Sequence, residues 1–203
     1  MKVFRFALLS SLLLFAAIAA KAQQVDYVTE EEADLIRDAQ GMHLRVPAFL
    51  KLLDNRIVAL GLRDRNSKER EQTKKDIADY EREKKEIEKF KVEGAELRAK
   101  PVNPDVYLRN ATRAELLRGY MQIVDEVMDN IDEAYDRHQD VRDSIESVDK
   151  FLAEQLPRLK KFVPKNPSET SALKATISHS EQALEDIQKA LKSIPKTEKK
   201  PAK

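Results

Sequence analysis

Apolar side chains recur at alternating intervals of three and four along most of the chain from Thr29 to Ile194. That is the period of helices that face a core. Thr29 followed by Glu32 predicts a capping box, and Glu30, Glu31 and Glu32 suit the positive end of a helix dipole. The seam of this first helix, A, runs Ile36, Ala39, His43, Val46, Leu50, Leu53, Ile57, Leu60, widened by Leu35, Phe49, Leu52 and Val58. Pro47 removes one backbone hydrogen bond and predicts a kink, while Gly61 before Leu62 predicts a Schellman stop.

Arg63 to Asp76 (RDRNSKEREQTKKD) holds no apolar side chain, so it is either a turn with a solvated helix start or a loop. Helix B follows with a thin stripe of Ile77, Tyr80, Ile87, Phe90 and Leu97, Lys84 filling one seam place. Its body is Glu and Lys at helical spacings, so ion pairs and propensity must support it more than burial does. Pro101 and Pro104 mark a linker, KPVNPDVYLRN. A second capping box, Thr112 with Glu115, opens helix C. Its seam is Leu117, Tyr120, Val124, Val127, Ile131, Ala134, His138, Val141, Ile145, Val148, Leu152, with no Gly after Gly119 and no Pro until Pro157. Continued in phase to Val163, it would span ~78 Å at the helical rise. Pro164, Asn166 and Pro167 form the next turn. Ser168 or Thr170 then caps helix D, with the seam Leu173, Ile177, Ser180, Leu184, Ile187, Leu191, Ile194. No segment alternates with a strand's period. The expected fold is all-α, an elongated antiparallel bundle of about four helices with a long third helix, in one domain over 23–194.

Ahead of this pattern, Lys2 and Arg5 precede an apolar run from Phe6 to Ala20 that ends in Ala20-Lys21-Ala22. Residues 1–22 read as a secretory signal peptide cut near Ala22-Gln23, too short for a spanning helix. No later stretch is apolar enough to span, which places the mature chain in a periplasm or outside the cell. The whole chain has 203 residues, 37 Lys plus Arg against 36 Asp plus Glu, and no Cys. Removing Lys2, Arg5 and Lys21 leaves 34 basic against 36 acidic residues, a balance that disfavours nucleic acid. The tail 195–203 (PKTEKKPAK) reads as a disordered basic end.

Chemistry is sparse. The three histidines lack the HExxH spacing, none is preceded at three positions by Glu or Asp, and the four Gly never form a phosphate loop. No catalytic, cofactor-binding or metal residue is assigned, and no enzyme is expected. Seam positions place His43 and His138 toward the core, and His179 on an outer face. Laddering A, B and C as consecutive antiparallel neighbours would hold the first two imidazoles ~22 Å apart, too far for a shared ion.

Helix C carries ten carboxylates between Asp125 and Asp149, and Asp125, Asp129, Asp132 and Asp136 form one ridge. The basic residues Arg56, Arg63, Arg65, Lys68, Arg70, Lys74 and Lys75 ladder opposite it, Lys74 meeting the neighbourhood of Asp136. Charge pairing is therefore favoured over a cation ridge. Beyond His138 only helix D covers helix C, which leaves Phe151, Leu156 and Phe162 as candidate partner contacts. The functional expectation is an exported, non-catalytic bundle acting through an unknown protein partner or as a homo-oligomer. The alternative is a ligand-, haem- or metal-binding bundle, with Met42, Met121 or Met128 as the available thioethers.

Overall fold

The structure, a computed structural model, describes residues 27–89 and 99–194. The expected signal segment, the basic tail, and Phe90 and Leu97 of helix B lie outside the described residues. Every regular element among the described residues is helical, so the fold is all-α. No helix there is long and apolar enough to cross a membrane.

Helix A is two helices, α1 (Glu30–Asp38) and α2 (Met42–Ala59). The Thr29–Glu32 capping box forms as expected. The chain then turns at Ala39 to Gly41, where Gly41 takes φ 84° and becomes the N-cap of α2. In one straight helix Glu32 and Arg56 would sit ~36 Å apart. Their side chains instead meet at 2.7 Å, because α1 folds back along α2. The hydrophobic period keeps its phase across this turn, so it conceals the break. Helix α2 runs on through Pro47. It ends in the expected Schellman motif, with Gly61 at φ 73°, Leu62 N–H donating to the Ile57 carbonyl and Gly61 N–H to that of Val58.

The basic gap resolves into a turn and a solvated helix start. Asn66 and Glu69 cap each other's backbone N–H groups and open α3 (Ser67–Lys89). Within the linker, Asn103 caps a short α4 (Pro104–Tyr107).

Helix C is also two helices, α5 (Arg113–Asp136) and α6 (Arg142–Leu159). The stop between them is a second Schellman motif: His138 N–H donates to the Tyr135 carbonyl and Gln139 N–H to that of Ala134. His138 occupies the left-handed position at φ 59°, where Gly is the usual residue. No Gly or Pro signals the stop, only the polar run Asp136 to Asp140. A His138→Gly substitution is expected to stabilise the fold by about 1 kcal/mol, by removing the left-handed penalty of a β-carbon. Urea unfolding checks the sign, since glycine inside a continuous helix would cost about as much.

α7 (Pro167–Ser193) is capped by Asn166 rather than by Ser168 or Thr170. Glu169 returns bonds to Asn166 Nδ2 and Lys165 N–H at 2.9 Å each, and pairs with Arg113 at 3.0 Å.

Helices α2, α5, α6 and α7 close around one core, α5 and α6 each packing against both α2 and α7. Arg45 reaches Asn130 while Arg56 lies beside Gly119, so α2 and α5 are antiparallel. Arg118 bonds Ser168 and His179 bonds Asp125, so α5 and α7 are parallel. Arg142 bonds the Ile194 carbonyl and Lys160 pairs with Glu181, so α6 returns antiparallel to α7. The expected seams of α2, α5 and α6 are largely buried. On α7 the buried row falls on Ala172, Thr176, Ser180, Ala183 and Ile187. Small side chains there admit close approach of α5, and the Thr176 hydroxyl lies 2.9 Å from the Leu117 carbonyl.

α3 takes no part in this ring. The laddering that placed it between A and C is overturned, because α2 docks directly on α5 and fills that place.

Candidate functional site

The bundle is locked at one end by a buried ion pair. Glu32 is 0% exposed and Arg56 2%. Arg56 Nη1 donates to Glu32 Oε1 and Nη2 to Oε2, both at 2.7 Å, the fork matching the carboxylate. Nη2 also donates to the Tyr27 carbonyl at 2.7 Å, and Nη1 to that of Leu52 at 3.2 Å. The Tyr27 hydroxyl bonds Glu126 on α5. Partial burial, that bond and the nearby Asp125 and Asp129 push the phenol well above the usual tyrosine range. The cluster ties the segment before α1 to both α2 and α5. Its role is structural: the Glu32 carboxylate, both Nη atoms of Arg56 and the Tyr27 hydroxyl are all bonded to other parts of the chain.

At the opposite end, α2 and α6 begin side by side around an open groove of about 460 Å³. Met42, His43, Val46 and Pro47 form one wall, and Gln139, Asp140, Asp143, Ser144 and Ser147 the other. Both histidines expected on the core seam are exposed. His43 lines the same groove as Gln139, the neighbour of His138, and the helix order behind the laddering is replaced by direct contact of α2 with α5. The Ser147 hydroxyl donates to the Asp143 carbonyl at 2.7 Å rather than to His43. Met42 shares the wall of His43 instead of facing it, and Met121 and Met128 are half-buried on α5. Among the described residues no three His, Asp or Glu side chains gather in a way that would hold a metal ion.

The acidic ridge is divided by the break at His138. Asp125 faces His179 at 3.2 Å, which keeps His179 on the expected outer face. Partial desolvation and repulsion from Asp129, Asp136 and Asp186 raise the Asp132 carboxyl above the usual range. The expected neutralisation by the basic gap does not occur. Arg63 pairs with Asp54 and Glu69, and Arg65 with Asp105 at 2.5 Å, all near the base of α3. They do not face α5, because α3 does not lie beside it.

Of the candidate contacts, Phe162 is only 6% exposed, under an Arg113 guanidinium 4.0 Å from its ring centroid. Phe151 is half-buried against the core, and Leu156 is half-buried as well. Phe162 is covered because α6 folds back beside α7 and brings the start of α5 over it. It offers no surface to a partner.

α3 is the element that sequence reasoning placed wrongly and that stands out most. It has 23 residues and none is buried. Its base is fastened: Arg65 Nη1 donates to Thr73 Oγ1 at 2.8 Å, and Asn103 Nδ2 to Asp76 Oδ2 at 3.4 Å. Beyond Asp76 the helix runs on for ~20 Å at 1.5 Å per residue. Ile77, Tyr80 and Ile87 are half-buried along it, with exposed Lys84 between them. The signal for an arm was present, in a stripe too thin to serve as a core helix.

Compared with models of protein families, with curated proteins and with solved structures, the chain matches none of them.

Proposed function

We propose that this protein is exported after cleavage near Ala22-Gln23 and works without catalysis, by contact with another protein or with itself. The observation that carries the reading is α3. The core is built chiefly by α2, α5, α6 and α7, and α3, with 23 residues, stands outside that ring with no buried side chain. A helix with little burial draws its stability from propensity and local ion pairs, and from a partner when one is present. Among the described residues Arg63, Arg65 and Asn103 fasten its base, and its seam beyond is the surface we assign to that partner. Export is supported by the basic, apolar and small-residue order of residues 1–22.

The test is a photo-crosslinking residue at Tyr80, expressed in the host, with the same residue at Glu181 on the bundle as control. Covalent adducts at position 80 above those at 181, on a chain whose N-terminal residue is Gln23, are expected. A chain that keeps Met1, or equal yields at the two positions, overturns the reading.

A further inference from the structure

We infer that α3 is a hinged arm latched to the bundle by Arg65 on Asp105, and that rising ionic strength opens the latch and lets the arm swing as a rigid helix. This goes beyond the reading above and does not depend on a partner. The pivot is the turn after α2. Leu62 packs against the core and Asn66 caps α3, so only residues 63–65 join the two, and none of them is helical. Arg63 spans the turn, donating from Nε to Asp54 and from Nη1 to Glu69 at 2.9 Å each, so it marks the axis. Arg65 bridges the arm to α4, whose neighbours Tyr107 and Leu108 are seated on the core. Its Nη1 donates to Asp105 Oδ2 at 2.5 Å and to Thr73 Oγ1 at 2.8 Å, and its Nη2 to Asp105 Oδ1 at 2.7 Å. The other bond across this gap, from Asn103 Nδ2 to Asp76 Oδ2, is 3.4 Å long.

These fastenings are polar. No side chain of α3 is buried, and among the described residues Ile77, Tyr80 and Ile87 are not part of the layer packed against the core. An arm held by apolar burial would be indifferent to modest salt. One held by charge-assisted bonds at an exposed surface is held weakly, and salt screens it. The Arg65–Asp105 fork is the strongest bond across the gap, since both groups are charged and two N–H groups meet two oxygens. Opening it leaves the long Asn103–Asp76 bond to fix the angle. The helix survives the swing, because the Asn66–Glu69 cap and the Arg82–Asp79 pair lie within the arm and move with it. At the helical rise the arm is ~35 Å long, so a tilt of ~20° carries Lys89 by ~12 Å. The chain from Lys89 to Lys100 has a contour of up to ~36 Å, ample for that excursion. Salt thereby shifts the population of directions in which the arm presents its stripe.

The chain has no Cys, so two engineered cysteines on the full-length protein carry the only spin labels. Lys84→Cys on the arm and Lys174→Cys on α7 are both at exposed positions away from the latch. Pulsed spin–spin distances are measured at ~0.1 M and ~1 M salt, between which the screening length falls from ~10 Å to ~3 Å. The expected result is one narrow distance at the lower salt and a distribution at least twice as wide at the higher. Arg65→Ala and Asp105→Asn each give the wide distribution already at the lower salt, and added salt widens it little further. The pair Lys150→Cys and Lys174→Cys, both within the bundle, keeps one distance throughout, and circular dichroism stays that of the parent. A distribution in Arg65→Ala as narrow as the parent's at the lower salt, or widened by salt as much as the parent's, overturns the latch. A loss of helix content in step with the widening overturns the hinge, because the arm is then melting and not swinging.

Discussion

Replacing Glu32 by Leu is expected to destabilise the protein by about 3–5 kcal/mol, a large share of a typical domain's stability. The cost is set by Arg56, which keeps its charge and is 2% exposed, so the substitution strands a cation in the interior. Two of the short bonds of that guanidinium go to Glu32, and the bond to the Tyr27 carbonyl at 2.7 Å does not neutralise it. The capping bond from Thr29 N–H to Glu32 Oε2 is lost as well, which adds about 1 kcal/mol. The pair itself is a different matter. Glu32→Leu combined with Arg56→Met removes both charges and their desolvation, so the double variant is expected to be more stable than Glu32→Leu alone. Urea unfolding of the four proteins in the cycle gives the coupling directly. Additive losses would show that the two side chains act independently.

Gly119→Ala is expected to cost about 2 kcal/mol, although alanine in an exposed helix position gains ~1 kcal/mol over glycine. Gly119 is buried inside α5, and a β-carbon there would stand 2.9 Å from Arg56 Nε and 3.3 Å from the Tyr27 carbonyl oxygen. An arginine side chain ordinarily swings away from such an intruder. This one is held by two bonds to Glu32 and two to backbone carbonyls, so relief of the overlap pulls the ion pair apart. The two losses therefore share one cause. In the Glu32→Leu, Arg56→Met background the penalty of Gly119→Ala falls by half or more, because Met adapts its shape. A thermal melt in which Gly119→Ala matches or exceeds the parent protein would remove the packing argument.

The capping boxes at Thr29–Glu32 and Thr112–Glu115, the Schellman stop at Gly61 and the seam of α5 were legible because each depends on residues within one or two turns. Local backbone groups must be satisfied locally, and the side chains able to do so are few. The two missed breaks are of another kind. At Ala39 to Gly41 the period of apolar residues passes through the turn unshifted. At His138 a residue with a β-carbon takes the left-handed position that glycine normally fills. Each turn persists because the helices on both sides gain more by packing back on the core than the strained residue loses. That balance is absent from the local sequence.

What the sequence determined by itself is therefore the all-helical class, the capping boxes at Thr29 and Thr112 and which faces of α2, α5 and α6 are apolar. Propensity and period act within a few residues and leave their mark on the chain directly. Only the tertiary structure decided that α2 lies against α5, that Phe162 is roofed by Arg113, that Glu32 meets Arg56, and that α3 is left outside. An apolar stripe specifies that a face must be covered and not by what. The choice among covering helices is made by the closure of the whole core, in which a stripe as thin as Ile77, Tyr80 and Ile87 loses its place to the broader face of α2.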